Sequence, residues 1–147
     1  MKSLAFVLVA LGMLGGVLLG GAPADKGAPT DAEVAHLVGV PAEIPAEARD
    51  RRNPRPATKE SVDRGGLLFS SQCVMCHGKD AHGKGDLVER LSLEVPDLTD
   101  PSLHEKWTDG QLFYVLNYGH GRMPKQDRFR DDVKWDLIDY VRSLPGK

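Results

Sequence analysis

Two thiols and an imidazole in the run Cys73-Val74-Met75-Cys76-His77 constrain this chain more than any other feature. At that spacing each thiol can form a thioether to one vinyl group of a haem, and the adjacent imidazole then lies under the iron. No other cysteine occurs in the chain. Tetrahedral zinc takes four ligands and a disulfide framework takes more thiols, so neither accounts for the run. The alternative is a thioredoxin-like redox pair, which needs a βαβ pattern around the cysteines that the flanking sequence lacks.

The start of the chain bears on where such a group could be attached. Lys2 is the single charge in the first 24 residues, followed by the apolar run Leu4 to Leu19, two glycines and Ala22-Pro23-Ala24. A basic start, an apolar centre and small residues at the −3 and −1 positions read as a signal peptide cleaved before Asp25. From Ser3 to Ala24 no residue is charged, so the same stretch, if retained, is long enough to be an N-terminal membrane anchor. Either way the expectation for the rest is export, to the periplasm or the outer face of the cytoplasmic membrane. Cleavage takes the formal net charge from −2 to −3. With no basic stripe or aromatic-basic interleaving, nucleic-acid binding has no support.

Residues 25–57 carry prolines at 29, 41, 45, 54 and 56 among many alanines and read as a linker or an arm lying over the folded domain. The basic cluster Arg49, Arg51, Arg52 and Arg55 falls here and reads as solvated. From Thr58 the pattern changes, and 58–147 is the expected folded domain. Thr58 can cap a helix whose Val62, Gly65, Gly66 and Phe69 share one face and lead straight to Cys73. After a loop with Gly78, Gly83 and Gly85 comes a weak helical segment, Leu87 to Leu93. Thr108 with Gln111 three residues on is a capping-box pattern that opens a helix ending at Gly119. A last helix begins near Asp131 and is closed by Pro145. The reading is all-α, three to four helices with long loops. Such a domain, in a chain with nine aromatics, buries little apolar area by itself, and a haem would supply the missing centre of the core.

His77 is the expected iron ligand through Nε2, its Nδ1–H donating to a backbone carbonyl. On the opposite face few candidates exist. Met1 and Met13 belong to the leader and Met75 is tied inside the attachment loop, which leaves Met123, in Gly119-His120-Gly121-Arg122-Met123-Pro124, with His120 as its rival. A thioether suits low-spin iron and raises its potential relative to two imidazoles. His36, His82 and His104 have no motif to recommend them as ligands. Arg122 and Trp107 are candidates for hydrogen bonds to a haem propionate.

These features together resemble the class I monohaem cytochromes c, over about residues 58 to 147. Gly65 and Phe69 match that family's N-terminal helix signature, and Leu137 and Tyr140 match positions of the C-terminal helix that packs across it, which implies a Gly65–Tyr140 crossing. Pro96 matches the proline whose carbonyl orients the proximal histidine, Leu98 matches a haem-contacting leucine, and Met123-Pro124 looks like the methionine–proline ligand loop. The stretch from Trp107 to Met123 also resembles cytochrome domains of bacterial respiratory complexes. The resemblance implies a cytochrome c fold around one covalent haem c, bound by Cys73 and Cys76 and ligated by His77 and Met123. It further implies single-electron transfer between redox proteins or respiratory complexes, not enzymatic turnover. Two other readings remain: a fixed electron-relay subunit of a larger membrane complex, and a haem enzyme or sensor with a labile sixth ligand.

Overall fold

The structure, a computed structural model, describes residues 43–145. The leader reading for 1–24, the first part of the 25–57 segment, and His36 lie outside the described residues. Helix α1 (Lys59–Gln72) starts at a capping box in which the Thr58 hydroxyl accepts from the Ser61 amide and the Ser61 side chain accepts from the Thr58 amide. It runs into the short α2 (Val74–His77), and after a glycine-rich loop come α3 (Asp86–Leu91) and α4 (Pro101–Lys106). Helix α5 (Asp109–Tyr118) opens on the reciprocal Thr108–Gln111 capping box and stops at Gly119 (φ +80°). Helix α6 (Asp131–Arg142) closes the fold. Among the described residues there is no strand beyond one isolated bridge, His120 to Met123, and no helix is long and apolar enough to cross a membrane.

The all-α reading holds, but the count of three to four helices is too low. Six α-helices stand among the described residues, of which α2, α3 and α4 have four to six residues each. Of these, α3 answers to the weak helical segment expected over Leu87 to Leu93, whereas α2 and α4 are too short to repeat the apolar period and leave no such pattern in the sequence. A signal for α4 does exist: Asp100 caps the Ser102 amide at 2.8 Å and Pro101 occupies the first helical turn.

The crossing of α1 over α6 is the most extensive contact in the fold. Gly65 makes it possible, because a Cβ there would collide with the Asp136 carbonyl and stand 2.7 Å from Tyr140 Cβ. Phe69, four residues on, is 2% exposed and packs its ring 5.2 Å from that of Tyr140. Behind the crossing, Phe113 of α5 stacks on Trp135 of α6 at 4.3 Å, and Leu98, Leu116, Leu137, Ile138 and Leu144 complete the core.

Two buried carboxylates of α6 face the crossing, and both are paired. Asp136 accepts from Arg64 Nε at 2.7 Å and from Arg55 at 3.0 Å. Asp139 accepts from the Ser61 hydroxyl at 2.6 Å and from the Asn53 amide group at 2.8 Å. Buried carboxylates persist only with such partners. Arg51 and Arg55 are exposed, as their sequence context suggests, yet each has partners in the fold. The Arg51 guanidinium lies 3.8 Å over the Phe113 ring, and Arg55 also donates to the Asp132 carbonyl. Just before them a 3₁₀ helix, Ala46–Asp50, sits on α5, where Gly110 lets the Ala48 and Arg51 carbonyls approach its backbone.

Candidate haem-binding site

Helix geometry sets the attachment motif. Cys73 caps the end of α1, its amide donating to the Phe69 carbonyl at 2.9 Å, and the chain turns there into α2, which carries Cys76 and His77. Both cysteines are half-buried free thiols. Burial first, and the neighbouring Cys76 second, push the Cys73 thiol up to about 11, so at neutral pH it remains protonated. Burial also holds the His77 imidazole below its usual range, in the neutral form that donates a lone pair to a metal. The His77 ring lies 6.1 Å from Phe69, which ties this candidate ligand to the α1–α6 crossing.

The loop after α2 folds back under the motif. Gly83 donates to the His77 carbonyl at 2.8 Å and Gly85 to the Cys76 carbonyl at 3.0 Å. The Leu98 amide donates to the carbonyl of the fully buried Ala81, which stitches residues 95–99 alongside. Leu98 is buried in the core, and Pro96 is exposed. The resemblance implies that the Pro96 carbonyl accepts from His77 Nδ1. Here that bond is not formed: the Pro96 carbonyl lies against Gly83, and the buried Nδ1 has no hydrogen-bond partner. Asp97 beside it is pulled down to about 2, chiefly by the Thr99 hydroxyl and amide and then by His82, whose Nδ1 stands 2.9 Å away.

Farther along the chain, α5 gives way at Gly119 to a tight hairpin. His120 and Met123 exchange both backbone hydrogen bonds, at 3.1 and 2.9 Å, with Gly121 (φ +54°) and Arg122 at the tip. The end of the loop is held to α5 by the Gln126 amide, 2.6 Å from the Leu116 carbonyl. Met123 packs against the same core cluster that Cys73 and Val74 touch. The His120 ring meets Trp107 edge-on at 5.7 Å, and its buried Nδ1 has no partner.

Sequence reasoning missed the brace behind Trp107. Arg142 of α6 donates to the carbonyls of Trp107 (2.6 Å) and His104 (3.0 Å) and pairs with Asp109 at 2.7 Å. His104 Nε2 in turn stands 2.8 Å from the Leu98 carbonyl. A basic residue in the last turn of a helix is the one signal that pointed there.

These residues fit a covalent haem: an unpaired Cys-x-x-Cys, a neutral half-buried imidazole, a partly buried thioether, and two orphaned buried ring nitrogens beside the core. The comparison of sequences agrees. The profile of the family "Cytochrome C oxidase, cbb3-type, subunit III" matches residues 60–141. The chain belongs to this family. A curated relative, the cbb3-type cytochrome c oxidase subunit FixPc of Rhizobium leguminosarum bv. viciae, is 31% identical over 93 residues. That match covers 62% of this chain and 30% of the relative, so the chain spans under a third of its length. Among solved structures, a chain of the Kuenenia stuttgartiensis reducing HAO-like protein complex aligns with a TM-score of 0.51 at 20% identity, over 80% of this chain and 73% of that one. At that identity the likeness speaks for the fold alone. The cbb3-type subunit III domain is a cytochrome c domain, all-α, and membership implies covalent haem c and electron transfer.

Proposed function

We propose that this cbb3-type subunit III domain carries one haem c, bonded to Cys73 and Cys76 and ligated by His77 and Met123, and passes single electrons between respiratory redox partners. The observation that carries the reading is the corner between α1 and α2, where two free thiols and a neutral imidazole are set against Phe69 and the α1–α6 crossing. When bound, the haem supplies an iron that cycles between ferric and ferrous. Cys73 and Cys76 fix its position, and His77 and Met123 together leave no coordination site for a substrate, which makes electron transfer and not turnover the work of the domain. In this reading Leu98 contributes apolar contact beside it, and Trp107 and Arg122 are candidates for hydrogen bonds to its propionates.

The name of the relative favours a second reading, a relay fixed within a membrane oxidase over a diffusing carrier. In both readings the domain works outside the cytoplasm, where haem attachment to Cys-x-x-Cys-His takes place, with residues 1–24 as signal or anchor. Denaturing electrophoresis with haem staining tests attachment. The native chain should stain and Cys73→Ala/Cys76→Ala should not; staining of that variant would sink the assignment. Intact mass of the native chain reports haem number and leader cleavage together, and co-purification with an oxidase separates relay from carrier.

A further inference from the structure

The hairpin at the end of α5 holds two potential iron ligands. His120 and Met123 form a hydrogen-bonded antiparallel pair, bonded through both backbone amides. Residues paired in this way stand with Cα atoms about 5.5 Å apart and project their side chains to the same face. Whatever the Met123 thioether faces, the His120 imidazole therefore faces too. Their reaches are comparable, since methionine Sδ and histidine Nδ1 both lie three bonds from Cα and histidine Nε2 lies four.

Polar partners sort the histidines outside the attachment motif. His82 is engaged with Asp97 and Thr99, and His104 with the Leu98 carbonyl and Arg142. Among the described residues His120 alone of these three has no hydrogen bond to its ring, and its Nδ1 is buried. The ring rests edge-on against Trp107, whose carbonyl Arg142 pins. Gly119 (φ +80°) and Gly121 (φ +54°) flank it, so its backbone can turn without a Cβ penalty on either side.

We propose that His120 is a reserve iron ligand on the Met123 side, taking the coordination position when the thioether is lost. The proposal rests on the His77/Met123 reading above and extends it. The exchange replaces one dative bond from sulfur by one from a neutral imidazole nitrogen, with no change in charge or electron count. Its consequence is a switch in driving force, because two imidazoles hold iron at a lower potential than imidazole with thioether.

The haem-loaded protein tests this through its spin state. The native chain and His120→Ala should both show the long-wavelength charge-transfer band of methionine-bound ferric iron. Met123→Ala should lose that band yet stay low-spin by electron paramagnetic resonance, with a fall in midpoint potential. Met123→Ala/His120→Ala should lose the low-spin signal and bind added imidazole, which Met123→Ala should resist. If Met123→Ala is itself high-spin and takes up imidazole as readily as the double variant, His120 only packs on Trp107 and the proposal is wrong. A double variant that remains low-spin overturns it as well, by pointing to another ligand. Should the double variant not fold, the imidazole titration of Met123→Ala decides alone. Absence of covalent haem in the native chain, or of its methionine band, would instead overturn the parent reading and is seen before any variant is made.

Discussion

Gly65→Ala should separate the α1–α6 crossing from every other contribution to stability. An added Cβ would meet the Asp136 carbonyl oxygen, with the Asp136 carbonyl carbon and Tyr140 Cβ each at 2.7 Å. Two of these are backbone atoms of a helix held by Arg64, Arg55 and Ser61, so no side-chain rotation relieves the overlap. Ordinary carbon contacts begin near 3.4 Å, and the helices must part by at least 0.7 Å. A gap of that size forfeits roughly a quarter to a half of the dispersion energy across the opened contact. Overpacking of this kind costs about 3 kcal/mol, at the upper end of its usual range. Replacing glycine by alanine inside a helix returns about 1 kcal/mol. The net loss is about 2 kcal/mol, or roughly 10 °C in Tm for a domain of this size. Gly66→Ala is the control: its Cβ would stand 3.1 Å from two carbons of the Tyr140 ring, a side chain that can yield, so its stability should stay within about 1 kcal/mol of native. Denaturant unfolding of the haem-loaded proteins, followed by circular dichroism, measures both. If Gly65→Ala is as stable as the native chain, the close crossing does not exist as described.

Two further perturbations probe the polar contacts. Asp139→Ala leaves the Asn53 amide group without its acceptor and the Ser61 hydroxyl with the Thr58 carbonyl alone, which should cost about 1–3 kcal/mol, with a smaller loss for Asp139→Asn. Because Asn53 is released, trypsin should also cut faster after Arg52; an unchanged cleavage rate would show that Asn53 is held by other means. Asp97 has its pKa depressed to about 2, so its stabilising effect is present above the ordinary value of 3.8 and is lost as pH falls from there towards 2. Thr99→Val removes the hydroxyl that contributes most and should move the Asp97 titration upwards by carbon-13 NMR; no movement would show that the hydroxyl is not the leading cause and leave the depression to the Thr99 amide and His82.

Much of the molecule is legible without coordinates. Cys73, Cys76 and His77 declare their chemistry by spacing, and Thr58, Thr108, Gln111 and Gly119 mark helix ends because capping is a local matter of one side chain and the next turn. Gly65 and Phe69 announce a close packing face, and Tyr140 stands against both. The short helices α2 and α4 escape, being too short to repeat the period that reveals a helix, and α3 shows only as the weak segment Leu87 to Leu93. So do the buried charges. Asp136, Asp139 and Lys134 look like the solvated side of α6, and only the arrival of Arg64, Ser61, Asn53 and Asn117 from far along the chain lets them be buried.

The distal hairpin divides the two kinds of information most clearly. Sequence alone names Met123 and His120 as the candidates, since the other methionines are excluded by position and the motif takes His77. That their side chains share one face comes from two backbone hydrogen bonds, and that His120 has no polar partner comes from where Asp97, Leu98 and Arg142 lie. Ligand chemistry belongs to the residue type and can be read from a string of letters. Which donor is free to use it depends on what the rest of the chain brings within about 3 Å of it, and that is decided only by the fold.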